Sequence, residues 1–195
     1  MGITQRVLVI LGLLALLFCA ASYFEASFFQ AYENRRFEES LIVPANAAKV
    51  TGGPAVKPVV AYREGSPVSR MEIPRLELSV MVVEGVRSRE LKRAAGHVPG
   101  TALPDESGNV AIAAHRDTFF RKLRDIRTDD VITLTTISGA YRYAVEWTRI
   151  VGPGDLDPLR SSREPVLTLI TCYPFHYLGP APQRFIVRAR RIGSD

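Results

Sequence analysis

The period of two that recurs through residues 66–195 is the strongest constraint on what this chain can become. In "YRYAVEWTR" (141–149), Tyr141, Tyr143, Val145 and Trp147 alternate with Arg142, Ala144, Glu146 and Thr148, the pattern of a strand buried on one face. Similar short runs occupy residues 69–73, 76–83, 109–114, 130–137, 165–172 and 184–192. Helical signals are confined to "SRELKRAA" at 88–95, with Ser88 placed as its N-cap, and "DTFFRKLRDI" at 117–126, with a turn near "DLDPL". About seven or eight short strands separated by turns predict an all-β domain, closed as a barrel or stacked as a sandwich.

The N-terminal part follows another rule. Residues 7–24, "VLVILGLLALLFCAASYF", hold no charge over 18 positions, just enough for a helix to cross a bilayer core. Arg6 and the amino terminus precede the run, while Glu25 and Glu33 follow it, which keeps residues 1–6 cytoplasmic and exports the rest. The competing reading is a signal peptide cut after Ala21. "EASFFQAYENRRFEES" extends the helix, with Phe28, Phe29, Tyr32 and Phe37 suited to the membrane interface. Pro44, Pro54, Pro58 and Pro67, with Gly52, Gly53 and Gly65, then predict a spacer that ends at about residue 65.

A net charge of +5, with only short basic clusters such as "RARR" at 188–191, offers no stripe for nucleic acid. Of the 2 cysteines, Cys19 lies in the apolar run, so Cys172 in "LTLITCYPF" must be explained alone. Alternation places it on the face of Val166, Thr168 and Ile170, at the strand's rim before Pro174. His115 ends the run "GNVAIAAH" and Arg184 opens "RFIVRA", so each also belongs at a strand rim. A thiol, an imidazole and a permanent cation are the residue types that acyl transfer needs: nucleophile, proton carrier and oxyanion partner.

These residues carry a resemblance. "LTLITC" is similar to the Thr-Leu-x-Thr-Cys signature of sortases, and the order of histidine, cysteine and arginine strands fits that family. "GHVPGTALPDESGNVAIAAHRDTFFRKL" and "CYPFHYLGPAPQRFIVRA" resemble class D sortases in particular. The resemblance covers residues 66–195 and implies a closed eight-stranded barrel that cleaves a Leu-Pro-x-Thr-Gly or Leu-Pro-x-Thr-Ala sorting signal after threonine. Cys172 would form the thioester, His115 would exchange protons, and Arg184 would hold the substrate backbone and oxyanion. Thr171 is a candidate substrate contact, His97 a structural or cleft residue, and Asp117 either an orienter of the His115 loop or a helix cap.

The resulting organisation is a cytoplasmic tip (1–6), a transmembrane signal anchor (7–24), a juxtamembrane helix and spacer (25–65) and a catalytic domain (66–195). Expected partners are secreted proteins with a C-terminal sorting signal, an amine acceptor on a wall precursor or a protein lysine, and the membrane. No paired ligand spacing joins Cys172 to His97, His115 or His176, so neither metal nor cofactor is expected. Calcium modulation through loop carboxylates such as Asp125, Asp129, Asp130 or Asp155, a habit of some relatives, is left open. A thiol hydrolase using the same residues, and a non-catalytic exported β-domain that binds peptide tails, are the competing readings.

Overall fold

A computed structural model describes residues 2–42, 62–177 and 179–194, with backbone alone at residues 19, 21–23, 25, 26, 36–42 and 194. Its elements are helix α1 (Ile3–Ile42), strands β1 (Pro67–Ile73) and β2 (Leu78–Glu84), a short helix α2 (Ser88–Leu91), and strands β3 (Ala95–His97), β4 (Asn109–Ala113), β5 (Val131–Thr136), β6 (Gly139–Val151), β7 (Val166–Tyr173) and β8 (Gln183–Ser194). The strands close into a barrel in the order β1-β2-β3-β4-β7-β8-β6-β5. Pairs β2–β3 and β4–β7 are parallel, and the other six are antiparallel.

Alternation explains the closure, because each strand turns one side chain in two toward a shared interior. Met71, Ile73, Val80, Val82, Val110, Ile112, Ile132, Leu134, Tyr143, Leu167, Leu169 and Val187 fill that core. Full burial of such a side chain stabilises by about 1.5–3 kcal/mol. Leu167 and Leu169 face inward, so Thr168, Ile170 and Cys172 lie on the outer face of β7.

Four local expectations need correction. The helix foreseen over 88–95 stops at Leu91, and Ala95–His97 becomes β3. Close packing favours the strand: a Cβ at Gly96 would lie 2.2 Å from the Gly85 carbonyl oxygen. Ser88 is the first helical residue, and the cap position belongs to Arg87 with no side-chain bond. Over 117–126 the only helical piece is a 3₁₀ turn, Arg121–Asp125, because Phe120 and Leu123 are drawn fully into the core. In β6, a register shift between Val145 and Trp147 pairs Trp147 with Arg188, so Trp147 leaves the face that Val145 shares with the core.

The charge-free run 7–24 lies inside α1, with its described large apolar side chains exposed, from Val9 at 47% to Phe18 at 74%. Among the described residues no helix is long and apolar enough to cross a membrane. Further along, α1 docks on the barrel. Gln30 Nε2 donates to the Arg93 carbonyl at 2.6 Å, Gln30 Oε1 accepts from Met81 N at 2.8 Å, and Asn34 Oδ1 accepts from Arg70 at 3.0 Å. Strand β3 pairs with β2 only from Val82 onward, so the Gln30 amide takes up part of the edge that β3 leaves open. Most of the expected spacer, with Pro44, Pro54, Pro58, Gly52 and Gly53, lies outside the described residues. The barrel ladder begins at Gly65, whose N–H donates to the Glu84 carbonyl at 2.7 Å.

Candidate active site

Three strand ends meet at one rim of the barrel. Cys172 and Arg184 are paired across β7 and β8, which puts their Cβ atoms about 4.5–5.5 Å apart on the outer face. On the other side, β4 runs parallel to β7 with Ala113 opposite Ile170, and Ala114 N donates to the Ile170 carbonyl at 3.2 Å. Two residues further on, that register brings His115 level with Cys172. Both are half-buried, reachable from solvent but packed on one side.

Several contacts hold this rim. Thr171 is 2% exposed, and its hydroxyl donates to the Ala114 carbonyl at 2.8 Å, fastening the end of β4 to β7 beside both His115 and Cys172. The His115 carbonyl accepts from Phe120 N at 3.0 Å, and the buried Phe120 ring anchors that turn. Arg116 donates to the carbonyls of Tyr177 and Gly179 at 2.7 and 3.1 Å, with its guanidinium 5.8 Å from the Tyr177 ring centre. The residue after the histidine thus ties down the loop after the cysteine. Tyr173, Phe175 and Phe185 stack beneath that loop, with centroids 5.3–6.3 Å apart. Arg184 donates to the carbonyls of Ala181 and Gln183 at 3.2 and 3.0 Å, a pose that holds the guanidinium beside its own loop.

Residues 152–165 form the wall beside β4 and β7, and a polar chain fixes them. Asn109 Nδ2 donates to the carbonyls of Pro158 and Arg160 at 2.8 and 3.1 Å; its Oδ1 accepts from the Thr168 hydroxyl at 2.7 Å, and that hydroxyl accepts from Arg188 at 2.9 Å. Burial holds the Arg188 guanidinium below the usual arginine range, with Glu146 opposing. Neither Asn109 nor Arg116 is singled out by the sequence, since each finds its partners 49 or more residues away along the chain. A polar residue at the start of an apolar strand is the one signal that "NVAIAA" offers for Asn109.

The remaining candidates lie elsewhere. His97 is 2% exposed and sits in the interior, with Nδ1 2.6 Å from Glu84 and Nε2 3.0 Å from the Ala102 carbonyl. It braces the turn after β3, away from Cys172. His176 and Asp117 are exposed, and the 3₁₀ turn Arg121–Asp125 begins at Phe120 with no side-chain cap. Asp130 is bound by Arg75, whose Nη2 also donates to the Asp125 carbonyl. Among the described residues no group of three or more His, Cys, Asp or Glu could hold a metal ion.

The closed barrel thus presents at one rim a thiol between the end of β4, which leads to His115, and the start of β8, which carries Arg184. Residues 71–192 match the sortase domain, and the chain belongs to the sortase family. It is similar to Sortase D of Bacillus subtilis, at 34% identity over 63% of this chain and 62% of that one. With Sortase A of Listeria monocytogenes the identity is 23%, over 60% of this chain and 54% of the relative. The match therefore spans less than two thirds of either relative. A solved Clostridium perfringens Sortase D5 transpeptidase shares the fold with a TM-score of 0.72 and 25% identity, covering 85% of this chain and 99% of that one.

Proposed function

We propose that this chain is a membrane-anchored cysteine transpeptidase that cleaves secreted proteins at a C-terminal Leu-Pro-x-Thr-type sorting signal. The observation that carries the reading is the register that pairs Cys172 with Arg184 on one side and brings His115 level with it on the other. The Cys172 sulfur, its proton passed to His115, attacks the threonine carbonyl carbon, and Arg184, swung from its loop carbonyls, donates to the developing oxyanion and the substrate backbone. The C–N bond breaks as His115 gives a proton to the departing amine, leaving a thioester. An incoming amine then loses its proton to His115 and forms the new amide as the C–S bond breaks, and the leaving sulfur takes that proton back. Anchoring is supported by the uncharged stretch of 18 residues within a 40-residue helix, its described apolar side chains exposed.

The test is to incubate the full chain with a Leu-Pro-x-Thr-Gly or Leu-Pro-x-Thr-Ala peptide, with and without an added amine. Mass spectrometry should find acyl-enzyme on Cys172 and an amine-dependent ligation product. Cleavage that ignores the amine would make the chain a thiol hydrolase, and an unreactive Cys172 would make it a binding domain.

A further inference from the structure

Helix α1 lies on the barrel wall in a defined direction. Phe29 borders Gly65 and Val83, Gln30 bonds Met81, and one turn later Asn34 bonds Arg70 in a recess shared with Ser79. Since β2 runs from Leu78 to Glu84, α1 is antiparallel to it, and the N-terminal half of the helix leaves the barrel past the Glu84 end. Register identifies that end. Glu84 pairs with His97, and β3 is antiparallel to β4, so His97 lies back from the end of β4 where His115 stands level with Cys172. The Glu84 end is opposite the catalytic rim. From Gln30 back to Phe24 is about 9 Å of helix, and from Met81 to Glu84 about 10 Å of strand, so the apolar run ends level with this end of the barrel.

The side chains there suit the headgroup layer of a bilayer. Ile137, at the tip between β5 and β6, is 61% exposed; Ile192 near the end of β8 is 43% exposed, and Phe24 and Phe28 are 70% and 75% exposed. Arg87 and Arg89, in the crossover that follows Glu84, pair with Glu64 at 2.9 Å and Glu90 at 2.8 Å, yet their side chains stay 78% and 69% exposed. Aromatic and apolar groups beside arginines are the chemistry of the membrane–water interface and of contact with anionic lipid.

We propose that the barrel end bearing Arg87, Arg89, Ile137 and Ile192 rests on the bilayer surface, so that the Cys172 rim faces away from it. The proposal rests on the reading of residues 7–24 as an anchor. Cys172, at the far end of the roughly 20 Å of strand that starts at Val166, is then the part of β7 most distant from the headgroups. That distance is fixed by the seat of α1 on β2, upstream of residues 43–61. Sorting signal and amine acceptor therefore approach from the side away from the lipid.

The test uses the full chain with Cys19→Ala and Cys172→Ala, carrying one new cysteine at Ile137→Cys, Ile192→Cys or Arg121→Cys and an attached fluorophore. It is reconstituted in vesicles of phosphatidylcholine and phosphatidylglycerol that contain headgroup nitroxide lipid. Quenching should be several-fold stronger at residues 137 and 192 than at residue 121, which lies on the catalytic side. A chain that floats with the vesicles but is quenched equally at all three positions, or most at residue 121, overturns the orientation alone. A chain that does not float overturns the anchor and the orientation with it.

Discussion

At the scale of single residues, the site depends on side chains that take no part in bond making. Thr171 precedes Cys172, yet its hydroxyl is buried against the Ala114 carbonyl, so it sets the position of β4's end rather than facing a substrate. Thr171→Val should keep the fold at a cost of about 1 kcal/mol for the lost bond. Turnover should fall further than that cost suggests, because His115 loses its register with Cys172, and restoring the hydroxyl with Ser should recover most of it. Thermal unfolding and peptide turnover measured on both variants check this. Arg184→Lys keeps the charge but loses the planar fork of donors, and removal of one oxyanion donor typically costs about 100- to 1,000-fold in turnover. His115→Ala should be at least as damaging, in both formation and resolution of the thioester. If Arg184→Lys turns over like the unaltered chain, the oxyanion donors are backbone amides near Thr171–Tyr173 instead.

Among the elements, the long alternating strands were legible in the sequence, because a side-chain period of two is written directly into β6, β7 and β8. The placement of Cys172, His115 and Arg184 was legible too, because each lies where an alternating run stops or starts. Strand β3 was not, since three residues carry no detectable period and Gly96 is required by a close backbone approach. Nor was the wall of residues 152–165, which rests on Asn109 binding two carbonyls from a distant turn. Asn109→Ala leaves those carbonyls and the Thr168 hydroxyl short of partners, a loss of about 1–3 kcal/mol. With Cys172, His115 and Arg184 untouched, the expected kinetic signature is a raised KM for the sorting peptide and a largely preserved kcat. The dock of α1 was likewise hidden, for it depends on the open edge of β2. Deleting residues 1–61 should leave a folded barrel that unfolds several degrees lower, as three lost hydrogen bonds of about 1 kcal/mol each require. A deletion that leaves the melting temperature unchanged would show that Gln30 and Asn34 add nothing to the domain.

For the whole molecule, the barrel end that carries Cys172 is closed by an ion-pair clamp. Asp130 is 7% exposed and accepts two bonds from Arg75, at 2.5 and 2.6 Å, and one from Arg127 N at 2.7 Å. These join the 3₁₀ turn Pro74–Leu76 to the segment that leads from His115 into β5. The Arg75 guanidinium, ahead of the opposing effect of burial, holds the Asp130 carboxyl below the usual carboxylate range. A carboxyl lowered by folding contributes stability that is fully present above its unfolded value of about 3.9 and is lost as pH falls through the folded one. The melting temperature of the full chain should therefore be level through neutrality and fall below about pH 4, where protonation releases Arg75. Asp130→Asn should be less stable at pH 7 yet flatter in acid, since it has no proton to take up at this position. The clamp holds residues 125–130, where the segment that leads from His115 enters β5, so thioester formation in the unaltered chain should decline over the same acid range. If the melting curves of Asp130→Asn and the unaltered chain run parallel from pH 7 down to pH 3, the clamp is not what acid releases, and another carboxylate must hold this end of the barrel.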